Sequence, residues 1–174
     1  MSLSEAPYST LLEEALEAWE DIRRGILGEA AALPDDEYGF RPHDEARSFQ
    51  EILRHILESG LMAMGELARP DGDFTRQGFP AFIREYAGDL PEVLEPEALL
   101  DHLRMSFAEG AASLRAAGDL HMLQTIRRFD GLSGTRLTWL HHHLAHEMYH
   151  RGQLALYVRQ SGRLPALTAR IQGE

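Results

Sequence analysis

The stretch His146-Glu147-Met148-Tyr149-His150-Arg151-Gly152-Gln153-Leu154 lies inside a long helical pattern. Four residues advance an α-helix by one turn plus roughly 40°, so the imidazoles of His146 and His150 leave the same face. Two imidazoles one turn apart can chelate a single divalent ion, and a third ligand completes an open, catalytic type of site. His55, far upstream on a different helical stretch, is the candidate third ligand.

Working outward, the helix is predicted from about Thr135 to Gln160, with Gly162 and Pro165 as stop signals. One of its stripes reads Trp139, His143, His146, His150, Gln153, Tyr157. Those side chains are aromatic or polar, so the stripe is either exposed or lines a site. Trp139, His143 and Tyr157 are candidates for the mouth of a pocket. Gln153 is a candidate partner for His150, or for a neighbouring helix. Leu137, Leu140, Leu144 and Met148 are expected to pack, and Gly152 to allow close helix contact. Arg151 is expected in a surface ion pair.

The histidine run needs care. His141, His142 and His143 precede the pair, and His142 is also four residues before His146. His142 and His150 are about 12 Å apart along the axis, so at most two neighbouring members share one ion. His146-Glu147-x-x-His150 also matches the zinc-protease pattern, in which the glutamate is the general base. Its context is poor: no histidine follows His150, and the only later carboxylate side chain is Glu174. The plainer expectation for Glu147 is a solvent-facing residue, or a pair with Arg151 at four-residue spacing.

Three further helices precede this one. The first starts near Thr10, where Thr10 and Glu13 have capping-box spacing, and buries Leu12, Leu16, Trp19, Ile22 and Ile26. Pro34 to Glu45 reads as a polar loop. The second opens on Ser48-Phe49-Gln50-Glu51 and runs to about Ala68. Its inward stripe is Ile52, His55, Ile56, Ser59 and Met62, so His55 stands where an apolar residue is expected. Asp71 to Leu94 is irregular, with a short helix predicted around Phe82 to Ala87; this segment is a candidate cover for one end of a pocket. The third helix begins at Pro96 and stops at Gly118. Leu120 to Asp130 reads equally as extended or helical, and Gly131 to Gly134 as a turn. Strand signals are weak throughout. Residues 1–174 therefore read as a single all-α domain, a four-helix bundle.

Composition narrows the function. The chain has 174 residues and a net charge of −11, which argues against binding a nucleic-acid backbone. It has no cysteine, so a metal must take nitrogen and oxygen ligands and no thiol nucleophile exists. It also has no lysine, which excludes Schiff-base chemistry. Met1 to Pro7 shows no leader pattern and no run is long enough to cross a membrane, so a cytoplasmic protein is expected.

The chain resembles the DinB/YfiT-like superfamily of metal-dependent enzymes. The resemblance rests on His-x-x-x-His-Arg-Gly-Gln-Leu at His146 to Leu154, on Ser48-x-x-Glu51-Ile52-Leu53-x-His55, and on the Gly162-x-x-Pro165 ending. It implies a four-helix bundle of up-and-down, mirror-variant topology, with the metal triad on His55, His146 and His150. It further implies a divalent cofactor, with zinc or nickel ahead of iron, and a homodimer. The substrate would be a small molecule, including low-molecular-weight bacterial thiols transferred to electrophiles. A metal-dependent thiol S-transferase or small-molecule hydrolase is the leading expectation. A metal-binding, stress-associated bundle without catalysis is the alternative, and the zinc protease stands behind both.

Overall fold

A computed structural model describes residues 10–173. The Met1–Pro7 stretch and Glu174 lie outside the described residues. Helix α1 (Leu11–Ala31) begins where the Thr10 hydroxyl accepts a hydrogen bond from the Glu13 amide. The predicted stripe from Leu12 to Ile26 is buried. Helix α2 (Phe49–Ala68) opens on a complete capping box: Ser48 accepts from the Glu51 amide, and the Glu51 carboxylate accepts from the Ser48 amide at 2.6 Å. Such a cap stabilises a helix start by about 1 kcal/mol. Here it also fixes the register that places His55 two turns in.

Helix α3 (Phe79–Ala87) follows, starting three residues before the predicted Phe82. Helix α4 (Pro96–Ala117) ends at Gly118, whose φ of +87° suits glycine and few other residues. The ambiguous segment after it resolves into both readings: a single turn, α5 (Asp119–Met122), and then a strand, β1 (Thr125–Arg127). Of the predicted Gly131–Gly134 turn, Ser133 and Gly134 instead belong to strand β2 (Ser133–Thr135), which pairs antiparallel with β1, Ile126 opposite Gly134. Helix α6 (Arg136–Gln160) is capped by Thr135, and its Trp139 donates to the Ile126 carbonyl at 3.2 Å, pinning hairpin to helix. Helix α7 (Ala166–Gln172), which the sequence reading lacks, is held by Glu29, whose carboxylate accepts from the Ala166 amide at 2.9 Å.

The four long helices form the bundle, and their neighbour relations are uncommon. Helix α1 packs on α6 and α4, and α2 packs on the same two. So α1 and α2 sit across a diagonal, as do α4 and α6, and only the α2-to-α4 connection joins neighbours. Among the described residues no helix is long and apolar enough to cross a membrane. Met148, expected in the core, is 46% exposed. It points outward because α6 turns two polar rows inward instead.

Candidate metal centre

The first inward row of α6 meets α2. His55 Nε2 lies 3.1 Å from His146 Nε2, which lies 3.0 Å from His150 Nε2. One nitrogen from each ring falls within 4.8 Å of the other two. Burial, reinforced by the positive Arg47, holds the His55 ring at a pKa of about 4. Burial does the same for His146, also to about 4, and lowers His150. All three rings are therefore neutral near pH 7 and offer lone pairs.

The three ring nitrogens share few protons among them. His150 Nδ1 is 2.7 Å from Gln153 Oε1, an acceptor, so the ring proton sits on Nδ1 and the bare lone pair on Nε2. His146 Nε2 faces both His150 and His55. A single proton on it can satisfy one neighbour and not both. Three converging imidazole nitrogens, one with its far side fixed by an amide, suit a divalent ion with nitrogen ligands about 2.0–2.1 Å away. Gln153 thus meets the expectation of a partner for His150 rather than a bond between helices.

The second inward row overturns the expectation for Glu147. Its side chain has no exposed surface, and it pairs with neither solvent nor Arg151. Arg23 of α1 grips it with two bonds, Nε to Oε2 at 2.7 Å and Nη2 to Oε1 at 2.6 Å. His143 Nε2 donates to Oε1 at 2.8 Å. Arg23 Nη1 donates to the Leu103 carbonyl and the Ser106 hydroxyl of α4. Gly60 of α2 completes the enclosure: a Cβ there would lie 2.4 Å from Arg23 Nη2. All four long helices meet at this guanidinium. Burial alone would raise the Glu147 carboxyl, but Arg23 and His143 outweigh it and hold the group well below the usual carboxylate range. A carboxylate so engaged is not a proton acceptor for a substrate water. His143, expected at a pocket mouth, is oriented by this carboxylate.

Two more expectations on α6 change. Arg151 is 7% exposed, and its guanidinium lies against Gly25, where a Cβ would come within 2.1 Å of Cζ. The surface pair predicted for it is only a long 3.9 Å approach to Asp21. Gly152 is exposed with open space around its α-carbon, so it serves no close packing.

A cavity of about 260 Å³ opens beside the histidines, lined by His55, His143 and His146 together with Trp139. Its other walls include Phe74, Phe79 and Phe129, so the irregular segment does cover one end. Tyr157 does not line it; its hydroxyl donates to the Arg47 carbonyl at 3.0 Å and its ring packs on Phe40. Sequence reading missed Arg23 and the three phenylalanines. Arg23 left a signal, since it follows Trp19 by four residues and precedes Ile26 by three, on the buried face of α1.

Known proteins agree with this architecture. The sequence matches the DinB superfamily over residues 18–154, and the chain belongs to that superfamily. The structure is similar to a DinB-like protein from Bacillus subtilis, at 20% identity and a TM-score of 0.66, over 86% of this chain and 92% of that one. It is also similar to YfiT from Bacillus subtilis, described as a probable metal-dependent hydrolase with an unusual four-helix bundle topology. That likeness has 14% identity and a TM-score of 0.68, over 91% of each chain. A third similar structure is the mycothiol-dependent maleylpyruvate isomerase, at 14% identity and a TM-score of 0.65, over 83% of this chain and 61% of that one. At these identities the likeness is one of fold: the all-α four-helix bundle of DinB/YfiT type. No curated protein matches the chain.

Proposed function

We propose that this protein is a metal-dependent enzyme acting on a small molecule, with His55, His146 and His150 as the ligands of a divalent ion. The observation that carries the reading is the convergence of three neutral ring nitrogens, two of them, on His55 and His146, belonging to rings that line a cavity. A divalent ion on three imidazoles keeps its positive charge and lowers the pKa of a bound water or thiol. Zinc and nickel come ahead of iron, since ferrous iron stands near the weak end of the usual affinity order for nitrogen sites.

The chain's own residues have separate tasks in this reading. Gln153 holds the His150 ring with its lone pair inward. Glu147 and Arg23 fix the backbone of α6 between the two ligands and aim His143. The two activities that fit are transfer of a low-molecular-weight thiol to an electrophile and hydrolysis of a small ester or amide. The description of YfiT as a probable metal-dependent hydrolase supports the second, and that of the isomerase as mycothiol-dependent supports a low-molecular-weight thiol as a reactant. Within the same reading the protein works in the cytoplasm as a homodimer.

The test is turnover of the zinc- or nickel-loaded protein with bacterial thiols and model electrophiles, and with small esters. A rate no greater than that of a His150→Ala control in both assays removes the enzyme reading and leaves the non-catalytic metal-binding bundle. Peptide hydrolysis has a specific observation against it, the sequestered Glu147. Gln153→Leu is expected to lower zinc affinity about 10–100-fold by releasing the His150 ring. Calorimetric titration measures this, with circular dichroism to show that the helices are retained.

A further inference from the structure

The cavity beside the histidines has a chemistry of its own. Phe74, Phe79, Phe129 and Trp139 supply rings, and Met62 and Ala63 of α2 supply the floor. Phe129, in the hairpin turn, lies 5.3 Å from the Phe74 ring and 5.8 Å from the Phe79 ring, tilted to the first and edge-on to the second. Aromatic groups in that geometry readily extend to one more ring.

Size narrows the occupant. The volume is about 260 Å³. An apolar cavity of about 150 Å³ takes benzene, while sites for drug-sized ligands run from about 300 to 1,000 Å³. The space therefore fits one ring with a short substituent.

Polar groups narrow it further. The Ser59 hydroxyl is committed to the Ile56 carbonyl at 3.2 Å. Arg128 is closed against Asp130 and lies 4.8 Å over the Trp139 ring, so its charge is already matched. It offers no uncommitted cation for an acid. What remains is one polar wall, the imidazoles of His55, His142, His143 and His146, with His142 Nδ1 already 3.1 Å from Arg128 Nη1.

We infer that this cavity binds an uncharged single aromatic ring bearing one short polar substituent, the ring among the phenylalanines and Trp139 and the substituent toward the histidines. The inference rests on the metal-centre reading for the chemistry done at the substituent. Seating of the ring does not depend on the ion.

The probe is 4-fluorobenzyl alcohol, followed by fluorine NMR against the metal-free and the zinc-loaded protein. Saturable one-to-one binding to the metal-free protein is expected. With the metal-free protein the charged analogue 4-fluorobenzoate should bind at least about tenfold more weakly, because its carboxylate loses water without gaining a cation. Ala63→Leu fills the floor and should cost at least about tenfold, as overfilling a packed space does. Phe129→Ala, at a position 45% exposed, should weaken binding several-fold, with circular dichroism to show that the helices are retained. Unchanged binding in both variants, or benzoate binding the metal-free protein as tightly as the alcohol does, overturns the inference. A parallel zinc titration separates the two readings. Ring binding without zinc uptake keeps this site and removes the metal centre; zinc uptake without ring binding does the reverse.

Discussion

Glu147→Gln will destabilise this protein heavily, although the substitution is nearly isosteric. It leaves the Arg23 guanidinium buried, fully desolvated and without its anion. Breaking one side of such a pair costs about 3–5 kcal/mol, against a total stability of about 5–15 kcal/mol for a typical domain. At about 2–4 °C per kcal/mol for a chain of this size, Tm should fall by roughly 6–20 °C. Thermal melts followed by circular dichroism measure it. A catalytic general base behaves otherwise: its glutamine variant loses turnover and keeps its stability. A Tm within about 2 °C of the parent would contradict the buried pair, since that is the scatter of a neutral surface change. The double variant Arg23→Met with Glu147→Leu should recover much of the loss, because replacing both charges by apolar groups removes the orphan rather than creating it.

Zinc should raise the melting temperature, and the rise should depend on the triad. Ligand at about 100 times its Kd adds about 2.7 kcal/mol to a protein that binds it only when folded. The same scaling gives a shift of roughly 5–11 °C. His146→Ala should abolish the rise most completely, because its Nε2 lies within 3.1 Å of a nitrogen on each of the other rings. His55→Ala and His150→Ala should leave only a remnant. The measurement is a melt of the metal-stripped protein with and without added zinc, and with nickel as a second ion. A rise that persists in all three variants would place the ion elsewhere.

The histidine trio was legible in the sequence because each member broke a local rule. His55 interrupts an apolar stripe on α2, and His146 and His150 stand one turn apart on a stripe with few aliphatic residues. Helix starts were legible for a similar reason, since a cap such as Ser48 with Glu51 is a bond between residues three apart. The fate of Glu147 was not. Its local spacing points to Arg151, whereas its partner lies 124 residues upstream. Electrostatics of that range leaves no periodic mark; only Arg23 within the buried stripe of α1 hints at a hidden anion. The aromatic cavity was illegible for another reason. Phe74, Phe79 and Phe129 come from three segments with no shared period, and they meet only because the hairpin folds over α3. Helix α7 is a single short element on the outside, held by Glu29 rather than by an apolar stripe of its own.

The diagonal placement of α1 and α2 bears on how the chain is made. A bundle of adjacent hairpins can close its first pair of helices as soon as both have emerged from the ribosome. Here α1 has no such neighbour, and its guanidinium waits for a carboxylate 124 residues further on. At about 5–20 residues per second, that wait lasts roughly 6–25 s. Through that interval Trp19 and Ile26 remain uncovered by α6, and an uncovered apolar face of that kind favours aggregation.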